Sequence, residues 1–293
     1  MKKISKTLLF FGSGPVAASS LDFLSKHFEI EAVVTKTVPS HHKTPAPVET
    51  LAKKLSLKTL FANDKNELIT LFNSYTPSSR LGIVVDYGVI IPSKIIDLFP
   101  LGIINSHFSL LPQWRGADPI SYSILSGQSK TGVSLMVIER GLDTGKLIAQ
   151  ISLPISADDT TPSLTEKLIE LSNQTLKTYI PLYYDGLIKS KRQSHPDRAT
   201  YSSKLRRSDG EIDSSKSAID IEREIRAFSG WPGSHTTVMN RRVKVIKAHT
   251  SADQESSIDI KCGDGIYLVI DELIAPSGKK MNAKAFVNGY IAG

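Results

Sequence analysis

The chain has 293 residues, 40% hydrophobic and 22% charged, which is an ordinary soluble composition with enough length for one large domain or two ordinary ones. No apolar run reaches the ~18 residues that would cross a bilayer, and the lone Cys262 cannot close an internal disulfide. These features exclude a membrane-spanning or disulfide-stapled class and set the expectation of a cytoplasmic protein without a membrane partner.

The first segment, MKKISKTLLFFGSG, has lysines ahead of apolar residues, but LLFF is shorter than the roughly 7–15-residue core of a secretion signal. It reads instead as a first β-strand. From there to about residue 155, strand-like runs (KTLLFF, EIEAVVT, LKTLF, GIVV, GIIN, GVSLMVI, KLIAQISL) alternate with amphipathic stretches such as VAASSLDFLSKHF and PVETLAKKL. Such alternation predicts βαβ units: an α/β fold with a Rossmann-like, mostly parallel sheet and helices on both faces. Residues 163–187 carry apolar side chains at helical spacing, with Pro181 expected to break or kink the helix.

Residues 188–203, IKSKRQSHPDRATYSS, are mostly polar and without apolar periodicity, and read as a linker. Beyond it come a short helical pattern, SAIDIEREIRAF, and several short strand patterns in HTTVMN, RRVKVIKA and IDIKCGDGIYLVID. The expected organisation is a catalytic domain over 1–187, a linker over 188–203 and a small β-barrel over 204–293. Charge follows this division. Residues 1–187 hold 18 Lys/Arg against 16 Asp/Glu, and residues 188–293 hold 18 against 13, so most of the net +7 lies in the C-terminal part. A basic surface there suits a polyanion partner, although charge alone does not separate that role from simple solubility.

Three short stretches carry chemistry. FFGSGPVAASSL places Gly12 and Gly14 between a strand and a helix, where backbone N–H groups and the helix dipole favour an anion. Gly12, Gly14 and Ala17 also satisfy a loose G-x-G-x-x-A, which keeps a nicotinamide dehydrogenase open as a competing reading. The second strand, however, ends in VVTKTVPSHHK and has no acidic residue to hold an adenosine ribose. In IVVDYGVIIP, Gly88 would let the backbone approach a flat ligand closely. In INSHFSLLPQWRGADPI, a strand that should bury carbon ends in Asn105, Ser106, His107 and Ser109.

The turn ERGLDTG adds Asp143 between two glycines. An amide and an imidazole aimed at one point form a donor pair for a developing oxyanion, and a neighbouring carboxylate favours the charged imidazole. Without an elbow serine or a Cys/His pair, this set suits attack on a carbonyl by the substrate's own nucleophile. Metal binding is not expected: His41-His42 has no Cys or Glu partner at ligand spacing, and neither HExxH nor CxxC occurs.

These stretches, in order, resemble the methionyl-tRNA formyltransferases, a family that uses 10-formyltetrahydrofolate. The resemblance runs on through ISADDTTPSLTEKL, YSSKLRRSDGEIDSSKSAIDIEREIRAFSGWPGSHT, VKVIKA, GDGIYL and GKKMNAKAF, and so spans nearly the whole chain. The Asn-x-His, SLLPxxRG and LDTG elements carry the formyl-transfer resemblance, and RAF-x-x-WPG favours the tRNA enzymes among relatives.

The resemblance implies an OB-like C-terminal barrel that helps hold tRNA, with Asn105, His107 and Asp143 as catalytic residues. Tyr87, Gly88, Val89, Ile90, Ser109, Leu110, Leu111, Pro112 and Leu142 are implied at the folate site. Gly12, Gly14, Pro15, Lys36, Lys43 and Arg115 are implied on the substrate side, with Ser109 and Arg115 also holding the catalytic loop. The implied partners are initiator methionyl-tRNA and the folate co-substrate, with no metal, acting on a monomer. Two departures stand out. The segment after the second strand lacks the longer GRGKK-like basic insertion of the tRNA enzymes, and Asp86 precedes Tyr-Gly where a small apolar residue is usual. A formyltransferase for an amino sugar nucleotide or another small amine is the nearest alternative. A formyltetrahydrofolate hydrolase and a non-catalytic RNA-binding module are further ones.

Overall fold

A computed structural model describes residues 4–38 and 46–290. Lys43, with His41 and His42, lies outside the described residues. In chain order the first elements are β1 (Ile4–Phe11), α1 (Pro15–His27), β2 (Phe28–Thr35), α2 (Pro47–Lys54), β3 (Thr59–Phe61) and α3 (Lys65–Ser74). Next come β4 (Leu81–Val84), α4 (Ser93–Ile96), β5 (Ile103–His107), β6 (Arg115–Gly116), α5 (Pro119–Leu125), β7 (Lys130–Val137), β8 (Leu147–Pro154) and α6 (Thr161–Tyr184). The last are β9 (Tyr201–Ser202), α7 (Ala218–Ala227), β10 (Ser234–Val238), β11 (Arg241–Ser251), β12 (Ile260–Lys261), β13 (Tyr267–Ile274), β14 (Lys280–Asn282) and α8 (Ala283–Tyr290).

The chain forms two compact units. The first comprises Met1–Ala117, Thr131–Leu153 and Glu166–Tyr201. The second comprises Asp118–Lys130, Pro154–Thr165 and Ser202–Gly293.

In the first unit, seven strands pair in the order β3-β2-β1-β4-β5-β7-β8. The pairs β2–β3, β1–β2, β1–β4 and β4–β5 are parallel, and β5–β7 is antiparallel. The expected mostly parallel, helix-flanked sheet is therefore present. Strand β1 lies inside the sheet, between β2 and β4, and this explains why LLFF is uniformly apolar: Leu8, Leu9, Phe10 and Phe11 are all fully buried. Burying each such side chain favours the fold by about 1.5–3 kcal/mol. One face packs Leu9, Phe11, Val34 and Ile103 against Leu68 and Phe72 of α3 and Ile95 of α4.

Two local signals behaved differently from one another. Asp64 caps α3, its side chain accepting from the backbone N–H groups of Asn66 and Glu67, as its position before an amphipathic run requires. Pro181 does not break α6, which continues to Tyr184. The proline sits in the last turn, where its missing N–H removes one bond from a helix that is about to end.

The second unit is a five-stranded antiparallel sheet in the order β10-β11-β13-β12, with β14 also on β13, of the OB-like kind expected. Its core joins Ile221 and Ile225 of α7 to Val243, Val245, Leu268, Leu273 and Phe286. The period-two pattern of RRVKVIKA holds for Val243 and Val245, which point inward, and then changes phase, so that Lys247 is exposed and Ala248 buried. A register irregularity between Val245 and Ala248 restores the inward phase. Helix α8 was not anticipated.

Candidate active site at the carboxyl edge of the parallel sheet

Strand β5 explains the polar interruption in INSH. Side chains alternate across a sheet, so Ile103, Asn105 and His107 share one face and Ile104 and Ser106 the other. Ser106 is buried, and its hydroxyl lies 2.7 Å from that of Ser172 on α6. Asn105 and His107 continue the face that Ile103 buries, but they do so at the strand's carboxyl end, where α/β sites form. Asn105 pairs with Val84 of β4 and Met136 of β7, which fixes it between two neighbouring strands.

His107 is 6% exposed, and both of its ring nitrogens have partners. Nε2 lies 2.9 Å from the Trp114 carbonyl, an acceptor, so Nε2 carries a proton and donates. Nδ1 faces Asp143 Oδ2 at 3.7 Å, a charge contact longer than a hydrogen bond. The same carboxylate oxygen accepts from the Gly116 N–H at 2.8 Å. Asp143 thus joins the loop after β5 to the turn between β7 and β8, and the structure brings Asp143 and His107 together as the sequence suggested.

Unusual backbone geometry aims these groups. Trp114 and Asp143 adopt φ of 54° and 51°, in the left-handed region, and Gly116 and Gly141 have φ of 117° and 116°. Such conformations cost of order 1–3 kcal/mol each for residues other than glycine and persist only where surroundings hold them. For Trp114 the hold is its N–H on Thr200 Oγ1 at 2.9 Å. For Asp143 it is Gln193, whose Nε2 donates to the Asp143 carbonyl at 2.7 Å and to the Gly145 carbonyl at 3.0 Å.

Gln193 was missed by the sequence reading because it falls in the unpatterned stretch 188–203. It is buried, and its Oε1 accepts from Arg115 Nη2 at 2.7 Å. The mutual bonds of Leu147 and Lys191, at 2.7 and 2.8 Å, hold its segment against the sheet edge. A lone polar Gln two residues from a bridge carries no periodic signal that could have found it.

The other anticipated residues divide into scaffold and surface. Arg115 is buried with its guanidinium on Gln193, and Ser109 is fully buried with its hydroxyl donating to the Gln113 carbonyl at 2.5 Å. Leu111 is buried; its N–H donates to Ser134 Oγ and its carbonyl accepts from Gln150. Leu110 packs near Gly132, where a Cβ would stand 2.6 Å from its Cδ2, and Pro112 is half-buried.

The Tyr87 ring packs beside Phe11 in the core, and its hydroxyl donates to the Ala62 carbonyl at 3.0 Å, so Tyr87 can offer a ligand only its backbone. Val89 packs partly against the same core. By contrast, Ile90 is 80% and Leu142 58% exposed, leaving large apolar surface that a flat ligand could cover. Gly88 has φ of 67°, and its carbonyl accepts from Lys36 Nζ at 3.3 Å.

The glycine loop is tight. A Cβ on Gly12 would overlap Ala17, Phe10 and the Val85 carbonyl. The Gly12 N–H donates to the Val34 carbonyl, and the Lys36 N–H donates to Ser13 Oγ at 3.2 Å. Pro15 opens α1 at its first position, where no N–H is needed. Among the described residues no group of three or more His, Cys, Asp or Glu could hold a metal ion, and no helix is long and apolar enough to cross a membrane.

Comparison with known proteins agrees with this geometry. Residues 8–180 match the formyl transferase family model, and residues 204–291 match the model for the formyl transferase C-terminal domain. The methionyl-tRNA formyltransferase of Hahella chejuensis is 31% identical over 96% of this chain and 93% of its own length. That of Myxococcus xanthus is 32% identical over 97% of this chain and 95% of its own. Among solved structures, an N-formyltransferase from Helicobacter canadensis in complex with folinic acid and dTDP-3-aminofucose superposes with a TM-score of 0.70. It is 21% identical and covers 91% of this chain and 99% of its own, a likeness of fold.

Proposed function

Since the chain belongs to the methionyl-tRNA formyltransferase family, we propose that it moves a formyl group from 10-formyltetrahydrofolate to the α-amine of methionyl-tRNA, through Asn105, His107 and Asp143. The observation that carries the site assignment is the convergence of Asn105 and His107, on one face of β5, with an Asp143 carboxylate 3.7 Å from the imidazole.

In this reading the amine nitrogen attacks the formyl carbon, and the carbonyl oxygen takes up negative charge. Asn105 Nδ2–H and the protonated His107 ring donate to that oxygen. His107 Nε2–H rests on the Trp114 carbonyl and turns its donation to the oxyanion as charge develops. Asp143 orients the ring and balances its charge. On collapse, the bond between the formyl carbon and the folate N10 breaks, and one proton passes in net from the amine to N10. Asp143 and His107 relay it, through water where needed.

The exposed Ile90 and Leu142 side chains and the backbone from Tyr87 to Ile90 would line the folate ring, with Leu110, Leu111 and Pro112 behind them. Gly12, Gly14, Pro15 and Lys36 would face the acceptor, and the buried Arg115 and Ser109 would hold the loop. The basic C-terminal part suits the tRNA. We assign initiator tRNA as the acceptor and a monomer as the working form.

The test is transfer of labelled formyl from the folate donor into methionyl-tRNA and into nucleotide-linked amino sugars, offered separately. Label in the tRNA is expected. Label in the sugar alone, or free formate without any acceptor product, would refute the assignment.

A further inference from the structure

Thr200, in the same compact unit as the catalytic groups, directs its N–H, its carbonyl and its hydroxyl onto the loop that follows β5. The N–H donates to the Pro112 carbonyl at 3.3 Å, and the Thr200 carbonyl accepts from the Arg115 N–H at 2.9 Å. Oγ1 accepts from the Trp114 N–H, also at 2.9 Å. Both peptide units that flank the Trp114 Cα are therefore bound to Thr200, and Trp114 is left-handed, with φ of 54°. The bond to Arg115 bears directly on His107. The Arg115 N–H and the Trp114 carbonyl belong to one planar peptide unit and point in opposite directions. Holding the N–H on Thr200 thus aims the carbonyl at His107 Nε2, 2.9 Å away. The next N–H along the chain, that of Gly116, is the one that meets Asp143 Oδ2 at 2.8 Å. The stretch Trp114–Arg115–Gly116 offers an acceptor to the imidazole and a donor to the carboxylate, and Thr200 grips it at Trp114 and Arg115.

We propose that Thr200 is a positioning residue that decides which ring nitrogen of His107 carries the proton. A carbonyl accepts and never donates, so while it faces Nε2 the proton stays on Nε2, whether the ring is neutral or charged. That N–H is the donor a developing oxyanion requires. If the peptide unit turned over, its own N–H would face the ring and call for a bare Nε2, with the proton on Nδ1. A lone pair would then confront the oxyanion. Thr200 excludes that arrangement through the backbone, and needs no contact with the folate or the amine. Its hydroxyl is the part a substitution can reach. Without it the left-handed conformation of Trp114 loses a hold, and the peptide unit between Trp114 and Arg115 turns in part of the molecules.

The consequence for turnover rests on the formyl-transfer reading, whereas the choice of ring nitrogen does not. The experiment compares wild type with Thr200→Val and Thr200→Ala, which lack the hydroxyl, and with Thr200→Ser, which keeps it. Thr200 is exposed, so circular dichroism and the melting temperature should match wild type in all three. In formyl transfer to methionyl-tRNA, kcat should fall about 10-fold in Thr200→Val and Thr200→Ala, with the KM of each substrate little changed. Thr200→Ser should recover it to within about two-fold of wild type. Nitrogen NMR of isotope-labelled protein at alkaline pH then reads the imidazole itself, with His107 identified as the pair of signals that His107→Ala lacks. Wild type and Thr200→Ser should show a protonated Nε2 and a bare Nδ1, and the two variants without the hydroxyl should show both forms mixed. Wild-type turnover in Thr200→Val and Thr200→Ala overturns the proposal. Lost turnover with Nε2 still fully protonated also overturns it, since loop stability would then account for the loss. If wild type formylates no tRNA at all, the functional reading has failed, while the imidazole signals still decide the role of Thr200.

Discussion

Residues other than glycine with left-handed backbone occur in both units, and the contrast between them is instructive. In the antiparallel sheet, Met239 and Asn240 have φ of 48° and 59° and join β10 to β11 directly beyond the Val238–Arg241 pair. This is the two-residue hairpin geometry whose twist matches the strands it connects, so the conformation serves the fold. At the carboxyl edge of the parallel sheet, Asp86, Trp114 and Asp143 adopt the same region for no such local reason. Trp114 turns its carbonyl onto His107, Asp143 turns its carboxylate toward the same ring, and Gln193 holds Asp143 in place. Backbone cost in one region is matched by strand pairing, and in the other by partners gathered around an imidazole.

The comparison is broken most sharply at His107. Replacing it with alanine should lower turnover by at least ~100-fold, the usual scale for a proton-handling group, with thermal unfolding little changed. Asp143→Gly is the paired test. It relieves the left-handed conformation but also removes the acceptor of the Gly116 N–H, so the two effects offset and the melting temperature should change little, yet turnover should fall about 100-fold because the charge beside His107 is lost. If activity survives in either variant, the strained edge is not a catalytic device.

Gln193→Ala should have an intermediate effect. It removes the shared partner of the part-buried Asp143 carbonyl, the buried Gly145 carbonyl and the Arg115 guanidinium, which should cost about 1–3 kcal/mol in denaturant unfolding. Turnover should drop about 10-fold at unchanged pH optimum, because the catalytic groups remain but Asp143 is less well placed.

Glu31 supplies a polar cluster in the same unit with a purely structural task. Its carboxylate accepts from Tyr75 Oη at 2.6 Å, from the N–H groups of Ser78 and Ser79 and from the Ser79 hydroxyl. Burial alone would raise its pKa, but these bonds outweigh it and hold the group down to about 2, from an ordinary 4.5. A depressed folded-state value means the stabilisation is fully present above the unfolded pKa and is lost as pH falls from about 4.5 toward 2. Glu31→Gln should therefore be less stable than wild type at neutral pH by about 1–2 kcal/mol and should show a flatter melting profile across that acid range, with formyl transfer unaffected.

The smallest effect belongs to the hairpin. Met239→Gly should raise stability by about 0.5 kcal/mol, since glycine enters the left-handed region without steric cost, and activity should not change. Set beside Asp143→Gly, it separates backbone strain that a fold can shed from strain that the site needs.

These distinctions mark how far the sequence could be read. The strands were legible because a central parallel strand such as LLFF must be apolar on both faces, and Asn105 and His107 stood out because they break that rule at a strand end. Asp143 was legible through its bracketing glycines. The partners that fix the site were not. The acceptor for His107 is the Trp114 carbonyl, a backbone group that every residue possesses, and Gln193 lies in a stretch without periodicity. Tyr87 reads as a site residue beside Gly88, yet its ring joins Val84 and Phe11 in the core, because the left-handed Asp86 breaks the alternation after β4 that would have set it on the opposite face.

The central claim is that His107 and Asp143 act as one unit, and a double-mutant cycle on formyl transfer to methionyl-tRNA tests it most directly. Turnover is measured for wild type, His107→Ala, Asp143→Ala and the double variant. Residues that work as a unit are strongly non-additive, so the double variant should be no more than a few-fold slower than His107→Ala alone. Losses that multiply, with the double variant slower by the product of the two single effects, would contradict the account.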